Sequence, residues 1–136
     1  MRKSGKVPVW IGRVLTALAG LLFLMSAVMK FMGGKQVDEG MAHLGLSESL
    51  ILPLALLELA CVVIYLIPQT AVLGAILLTG YTGGVILSHL RVGDPFIVPI
   101  ILGIVVWLGV ALRDARLWSL VPFRRSSGLT DPANVA

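Results

Sequence analysis

Residues 71–112 read AVLGAILLTGYTGGVILSHLRVGDPFIVPIILGIVVWLGVAL, and this stretch decides the fold. It contains two apolar runs, residues 71–90 and 96–112, with only a short polar connection between them. Each run approaches the roughly 20 apolar residues that a helix needs to cross the core of a bilayer. Because lipid offers no hydrogen-bond partners to an exposed backbone, both runs are expected to be helical.

Two further apolar runs, residues 10–32 and 50–67, precede this stretch. The whole chain of 136 residues is 57% hydrophobic and 13% charged, whereas a soluble domain carries about 25% charged residues. A soluble core accounts poorly for four such runs in succession. The sequence therefore predicts an all-α membrane protein, an antiparallel bundle of four transmembrane helices. One domain is expected over residues 1–120, followed by a flexible cytoplasmic tail at 121–136.

The connections between the runs indicate how the helices are arranged. Only PQT, residues 68–70, joins the second run to the third, so those helices are predicted to be antiparallel neighbours. Asp94 followed by Pro95 is typical of a helix start, with Asp94 as the N-cap. Within the longest connection, residues 33–49, apolar residues at helical spacing predict a short helix at the membrane surface.

The basic residues predict the orientation of the chain. They cluster toward the two ends of the chain: Arg2, Lys3, Lys6 and Arg13 at the start, and Arg113, Arg116, Arg124 and Arg125 at the end. The positive-inside rule then places both termini in the cytoplasm, as an even number of spans requires. We expect a multi-pass protein of the bacterial cytoplasmic membrane, with membrane lipids around it. The first run is longer than the apolar core of a cleaved signal peptide, and these flanking charges do not form a nucleic-acid-binding patch.

Glu58 is the only acidic residue within a predicted span, and it lies near the middle of that span. An ionisable side chain at this depth needs a partner or a proton and usually marks a functional site. Side chains lean toward the N-terminus of their own helix, so Lys30 and His89 are expected to lean into the outer half of the bilayer, toward Glu58. We therefore predict Glu58 and His89 as catalytic acid–base residues. A neutral Glu58 bonded to a neighbouring helix, and an interfacial His89 without a special role, are the structural alternatives.

The residues around this pair predict an intramembrane polar pocket that opens to the outer face. Lys30, Arg91, Tyr81 and Asp94 are the candidate ligand-binding residues, with Arg91 and Asp94 at the mouth. Lys30 and Arg91 have the alternative interpretation of simple snorkelling to the interface.

The sequence gives little support for a metal site, a haem site or a dithiol pair. Cys61 is the only cysteine and is interpreted as a small apolar filler, so the chain alone cannot form a dithiol pair. No metal site is predicted, since potential ligands are scattered without a known spacing. His43 lies in a connection, so two facing helical ligands for a haem are missing.

Small residues in the third run predict close helix packing. Gly80 and Gly84 form a GxxxG pair, and Gly83 belongs to a second row of small residues. Such residues let helix backbones approach closely in lipid. The face is interpreted either as packing within the chain or as the seam of a homodimer.

Three motifs together resemble the DoxX-like family of small four-helix membrane proteins. They are FLMSAVMKF at residues 23–31, LGLSESLILPLALLELACVVIYLIP at 44–68 and LLTGYTGGVILSHLRVGDPF at 77–96. The resemblance covers about residues 12–118 and implies a four-helix bundle. Its pattern positions are Lys30, Glu58, Gly80, Gly84, His89, Arg91 and Gly93. Relatives include a subunit linked to quinone oxidoreduction and membrane assembly factors, whereas thiol-redox versions do not suit a chain without paired cysteines.

Three functions remain open from the sequence. The first is binding of a lipophilic small molecule, quinone-like or isoprenoid-like, in the polar pocket, with acid–base or redox-linked chemistry. The second is a non-enzymatic assembly factor or chaperone that contacts the transmembrane helices of a partner. The third is a proton-linked carrier, which usually needs more helices or an oligomer. A quinone is the one cofactor candidate, and a homo-oligomer or a membrane-protein partner fits the second function.

Overall fold

Helices make up nearly all of residues 5–120, the part of the chain that this computed structural model describes. The predicted tail, residues 121–136, lies outside this part. The helices are α1 (Lys6–Met32), α2 (Lys35–His43), α3 (Ile51–Leu66), α4 (Ala71–Val92), α5 (Ile97–Arg113) and α6 (Leu117–Leu120). The four predicted apolar runs thus form α1, α3, α4 and α5, and the predicted short helix in the longest connection is α2.

Three of the four apolar helices are long and apolar enough to cross a membrane: α1, α3 with its preceding turn, and α4 with its preceding turn. The fourth, α5, is apolar but has 17 residues. At 1.5 Å per residue it is about 26 Å long, which is at the lower limit for a span. The chain is therefore a multi-pass membrane protein.

The four apolar helices contact one another in a ring, in which α1 and α4 each pack against both α3 and α5. The core between them contains Phe23, Val62, Leu78 and Val106. Large apolar side chains cover the outside as well, for example Leu21 and Leu87, which are 59% and 60% exposed. A soluble protein does not expose so large an apolar surface, whereas lipid is a suitable environment for it.

Small residues and one tyrosine bring α1, α3 and α5 together at the end where α1 begins. A methyl group on Gly12 would lie 2.9 Å from the carbonyl oxygen of Gly109, so the backbones of α1 and α5 touch there. The buried Tyr65 hydroxyl of α3 donates a hydrogen bond of 3.0 Å to the carbonyl oxygen of Val106 on α5. Tyr65 therefore has the acceptor that a buried tyrosine needs.

The connections differ from the sequence prediction at one point. PQT forms a single 3-10 turn, Pro68–Thr70, between the neighbouring helices α3 and α4, as expected. Helix α4 ends at Val92 and is capped by Gly93, whose left-handed φ of 76° suits a residue without a side chain. The prediction that Asp94 caps α5 is wrong: α5 begins at Ile97 with Phe96 as its N-cap. The Asp94 carboxylate bonds His43 instead.

Candidate functional site

A buried ion pair joins α1 to α3. Lys30 Nζ lies 2.7 Å from Glu58 Oε2, and the two residues are 28 positions apart in the sequence. The Glu58 side chain is 2% exposed and that of Lys30 is 18% exposed. Lys30 lies near the end of α1 and reaches back along the helix to Glu58, in the direction in which helical side chains lean. The Glu58 side chain is thus fully buried, whereas the Lys30 side chain remains partly accessible.

Ser26 completes the surroundings of the Lys30 ammonium group. It lies one turn earlier on α1, and Lys30 Nζ donates a hydrogen bond of 2.7 Å to its Oγ. A lysine ammonium group has three N–H donors, and Glu58 and Ser26 take one each. Within residues 5–120 the third donor has no protein acceptor. The sequence reasoning missed Ser26, although its position four residues before Lys30 on one helix face is a usable signal.

Tyr81 on α4 is a further polar side chain near the Glu58 carboxyl group. It is partly buried and packs against the hydrophobic core. Three helices therefore supply polar groups to one small region: Lys30 and Ser26 from α1, Glu58 from α3 and Tyr81 from α4. These groups can exchange a proton between an amine and a carboxylate, and the ammonium group can donate a hydrogen bond to an acceptor that enters.

His89 does not bond Glu58. Its Nδ1 lies 2.8 Å from the carbonyl oxygen of Val85, one turn back on its own helix. Residue 89 is eight positions beyond Tyr81 on α4, which corresponds to about 12 Å along the axis. This offset explains why the ring does not reach the group of polar side chains around Glu58. A catalytic role for His89 stays a prediction.

Arg91 and Asp94 lie at the end of the molecule that carries α2, which we term the α2 end. Asp94 Oδ2 is 2.7 Å from His43 Nε2, so the connection between α4 and α5 is tied to α2. The Arg91 side chain is exposed and reaches toward Gly45, in the connection that follows α2. In the described part of the chain, neither residue forms a hydrogen bond or ion pair with Lys30 or Glu58. The contribution of His43 was missed, because the sequence does not show how a surface helix folds over another connection.

The predicted packing glycines face outward. A side chain added at Gly80, Gly83 or Gly84 would meet no atom within 4 Å in residues 5–120. Among the described residues, these three glycines therefore make no close contact with another helix. Close helix contacts are made instead by glycines such as Gly12 and Gly20 of α1. The alternative, a seam with another chain, stays a prediction.

An apolar groove runs along the surface between α4 and α5 and has a volume of about 570 Å³. Its lining includes Ile86, Gly103 and Trp107, and Trp118 of α6 also contributes. The Trp107 indole N–H donates a hydrogen bond of 2.8 Å to Thr79 Oγ1, which fixes the ring across the groove. None of the predicted catalytic or ligand-binding residues lines this groove.

Metal-ligating side chains do not cluster in the described ranges. In residues 5–120 no three His, Cys, Asp or Glu side chains come together as a metal site requires. Cys61 is a buried free thiol on α3, in the core cluster.

One comparison with known proteins gave a match. The model of the DoxX-like family matches residues 14–111 of this chain. The matched region contains Lys30, Ser26, Glu58 and Tyr81. The comparisons with curated proteins and with solved structures gave no match.

Proposed function

This chain belongs to the DoxX-like family, and on that premise we propose that it binds a lipophilic small molecule inside the membrane. The proposed ligand is quinone-like or isoprenoid-like and carries a carbonyl or hydroxyl oxygen. It would meet the protein at the Lys30 ammonium group. The proposed frame is an antiparallel four-helix bundle with both termini in the cytoplasm.

The charge distribution supports this orientation. Lys6 and Arg13 lie in the first turns of α1, and Arg113 and Arg116 lie at and just after the end of α5. Basic residues flanking spans favour the cytoplasmic side. The α2 end carries mixed charges, since Lys35 forms an exposed pair with Glu39. The α2 end then faces outward, and the Lys30–Glu58 pair lies in the outer half of the bilayer.

The single observation that carries the ligand proposal is the third N–H donor of Lys30. It has no acceptor in the described residues, and the side chain is 18% exposed while Glu58 is 2% exposed. A hydrogen bond to a ligand oxygen is stronger in this low-dielectric surrounding than in water. Such a bond from a charged donor contributes roughly 1.5–3 kcal/mol.

The pair also suits acid–base chemistry. Glu58 balances the charge of Lys30 and orients the ammonium group, so an entering oxygen meets a donor that is already positioned. Tyr81 and Ser26 keep the surroundings polar. Lys30 can give a proton to a ligand oxygen and take it back from that oxygen, and the Glu58 carboxylate 2.7 Å away balances the charge of the protonated amine. Lys30 is thus the proposed contact residue and proton donor, and Glu58 the proposed charge partner behind it.

The test is extraction of the full chain with its native lipids, followed by identification of bound small molecules by mass spectrometry. We expect an oxygen-bearing lipophilic compound at a fixed ratio to protein. Lys30→Met should lower its retention at least tenfold, because the contact donor is gone. Lys35→Met is the matched control: it makes the same substitution in an exposed ion pair and should leave retention unchanged.

Two outcomes would contradict the proposal. One is equal retention by wild type and Lys30→Met. The other is loss of the compound in Gly103→Leu, which fills the groove between α4 and α5, with no loss in Lys30→Met. That second result would move the ligand to the apolar groove, where the Lys30–Glu58 pair plays no part.

An assembly role is the second candidate function, and the outward-facing glycines favour it. Gly80, Gly83 and Gly84 leave a notch on the surface of α4 that no atom of residues 5–120 fills. Small residues of this kind admit the backbone of another transmembrane helix. In this role the chain would contact the helices of a partner membrane protein, and no reaction need occur.

A matched pair of variants separates the two roles. Gly84→Leu fills the notch on α4, and Ala60→Leu adds the same kind of bulk at an exposed position of α3. If assembly is the function, Gly84→Leu releases a defined partner from mild-detergent extracts while Ala60→Leu keeps it. If ligand binding alone is the function, both variants retain the small molecule and no stoichiometric partner is found.

A further inference from the structure

A second, smaller cavity lies at the end of the molecule opposite α2. It has a volume of about 280 Å³ and is formed where α1 and α4 begin and α5 ends. Val9 and Arg13 line it from α1, Ala71 and Val72 from α4, and Arg113 and Asp114 from the end of α5. It is separate from the Lys30–Glu58 pair, which lies toward the α2 end.

Two guanidinium groups border this cavity. Arg113 Nε is buried and has no hydrogen-bond partner within residues 5–120. A buried donor without an acceptor is unfavourable, so this Nε can take an oxygen acceptor from a group other than the described residues. The aliphatic stem of Arg113 packs against α1, since its Cγ would lie 2.7 Å from a methyl group on Gly12. The packed stem holds the guanidinium group at the cavity.

The first turn of α4 adds positive potential. Thr70 is the N-cap residue, but its side chain makes no capping hydrogen bond. The Thr70 hydroxyl instead donates a hydrogen bond to the carbonyl oxygen of Ile64. Ala71 and Val72, the first residues of this 22-residue helix, line the cavity, which therefore lies near the positive end of the helix dipole. Asp114 opposes this charge, but its Oδ1 already accepts a hydrogen bond from the Arg116 backbone N–H.

We propose that this cavity binds the phosphate group of an anionic phospholipid, in the leaflet on the side of the chain termini. Guanidinium groups bind phosphate oxygens in bidentate fashion, and a helix N-terminus adds N–H donors. Basic pockets between membrane helices at this level bind lipid headgroups. The cavity suits a headgroup, while the acyl chains remain outside against the apolar helix faces. The inference does not depend on the proposed ligand at Lys30.

The experiment is a titration of the purified full chain in detergent, with bound lipid counted by native mass spectrometry. The probes are phosphatidylglycerol and phosphatidylcholine of equal chain length. We expect one tight phosphatidylglycerol molecule per chain and weaker phosphatidylcholine binding. Arg13→Gln and Arg113→Gln should each weaken phosphatidylglycerol roughly fivefold, the effect of one basic residue near a membrane surface. Arg116→Gln, with the same charge change at an exposed position outside the cavity, should have no effect.

A variant that binds the lipid more tightly than wild type cannot be explained by misfolding. Asp114→Asn keeps an oxygen for the Arg116 N–H but removes the opposing charge, so it should tighten phosphatidylglycerol binding several-fold. Arg113→Lys keeps the charge and the stem but loses the guanidinium fork, so its affinity should lie between wild type and Arg113→Gln. Wild-type affinity in both glutamine variants would overturn the proposal. Displacement of the lipid by inorganic phosphate at equal concentration would overturn the lipid as the ligand.

Discussion

The backbone of Tyr65 on α3 occupies the space where a side chain on Gly74 of α4 would begin. The closest atoms are the Tyr65 Cα and N, so the two helices touch backbone to backbone just beyond the turn that joins them. Backbone atoms cannot move aside as the end of a flexible side chain can. This contact fixes α3 and α4 at the end of the molecule where α4 begins.

Gly74→Ala should therefore destabilise the protein strongly. A methyl group at this position forces α3 and α4 apart, and overpacking of this kind costs typically 1–3 kcal/mol. The measurement is the midpoint of thermal unfolding in detergent, followed by circular dichroism. Gly83→Ala is the control on the same helix, because a side chain there meets no atom of residues 5–120 within 4 Å. It should leave the midpoint unchanged or slightly higher, since alanine favours a helix.

The Lys30–Glu58 pair should respond asymmetrically to substitution. Lys30→Met leaves a sealed carboxylate without a partner, and breaking a buried pair in this way costs roughly 3–5 kcal/mol. Glu58→Gln should cost less, because the Lys30 side chain is 18% exposed and can extend toward the α2 end. The unfolding midpoints of both variants test this order.

The double variant completes the cycle. Lys30→Met with Glu58→Gln removes both charges and should recover much of the stability lost in Lys30→Met alone. Lys35→Met with Glu39→Gln removes the exposed pair on α2 and should change the free energy of unfolding by less than about 1 kcal/mol. If Lys30→Met proved as mild as Lys35→Met, the buried pair would not stabilise the fold.

The sequence predicts the helices well because apolar runs in lipid leave few alternatives. All four runs became helices, the PQT turn joined neighbours, and α2 appeared where apolar spacing indicated it. The direction in which Lys30 leans along α1 was also predictable, since it follows from helix geometry. The structure brings Lys30 Nζ to 2.7 Å from Glu58 Oε2.

Other features depend on how helices rotate about their axes, which the sequence does not determine. Gly80 and Gly74 belong to the same helix, yet Gly74 contacts α3 and Gly80 faces outward. Packing among all four apolar helices determines which face of α4 points inward. The sequence also does not show the hydrogen bond between His43 of α2 and Asp94, because the two residues are 51 positions apart. The local sequence predicted an N-cap role for Asp94, whereas in the structure its carboxylate bonds His43 of α2.

Trp107 should report on the groove between α4 and α5. Thr79→Val removes the acceptor of the Trp107 indole N–H while keeping nearly the same volume. We expect a shift of tryptophan fluorescence and stronger quenching by brominated lipids, because the freed ring moves on the groove surface. Ser88→Ala is the control, since that hydroxyl bonds the Gly84 carbonyl on its own helix and touches no tryptophan. Equal quenching in both variants would contradict an ordering role for Thr79.

The bond between His43 and Asp94 should hold α2 over the connection between α4 and α5. His43 Nε2 lies 2.7 Å from Asp94 Oδ2, and both side chains are partly or largely exposed. Exposed pairs contribute only about 0–1 kcal/mol, so His43→Gln should leave the thermal midpoint nearly unchanged. Local opening is a more sensitive measure of such a tie. Hydrogen exchange of the α2 amides should become several-fold faster, with no change in α3 or α4.

Glu39→Gln is the control, because Glu39 is also on α2 but pairs with Lys35, and it should leave this exchange unchanged. Unaltered exchange in His43→Gln would mean that Met41, the buried residue of α2, holds this helix without the histidine.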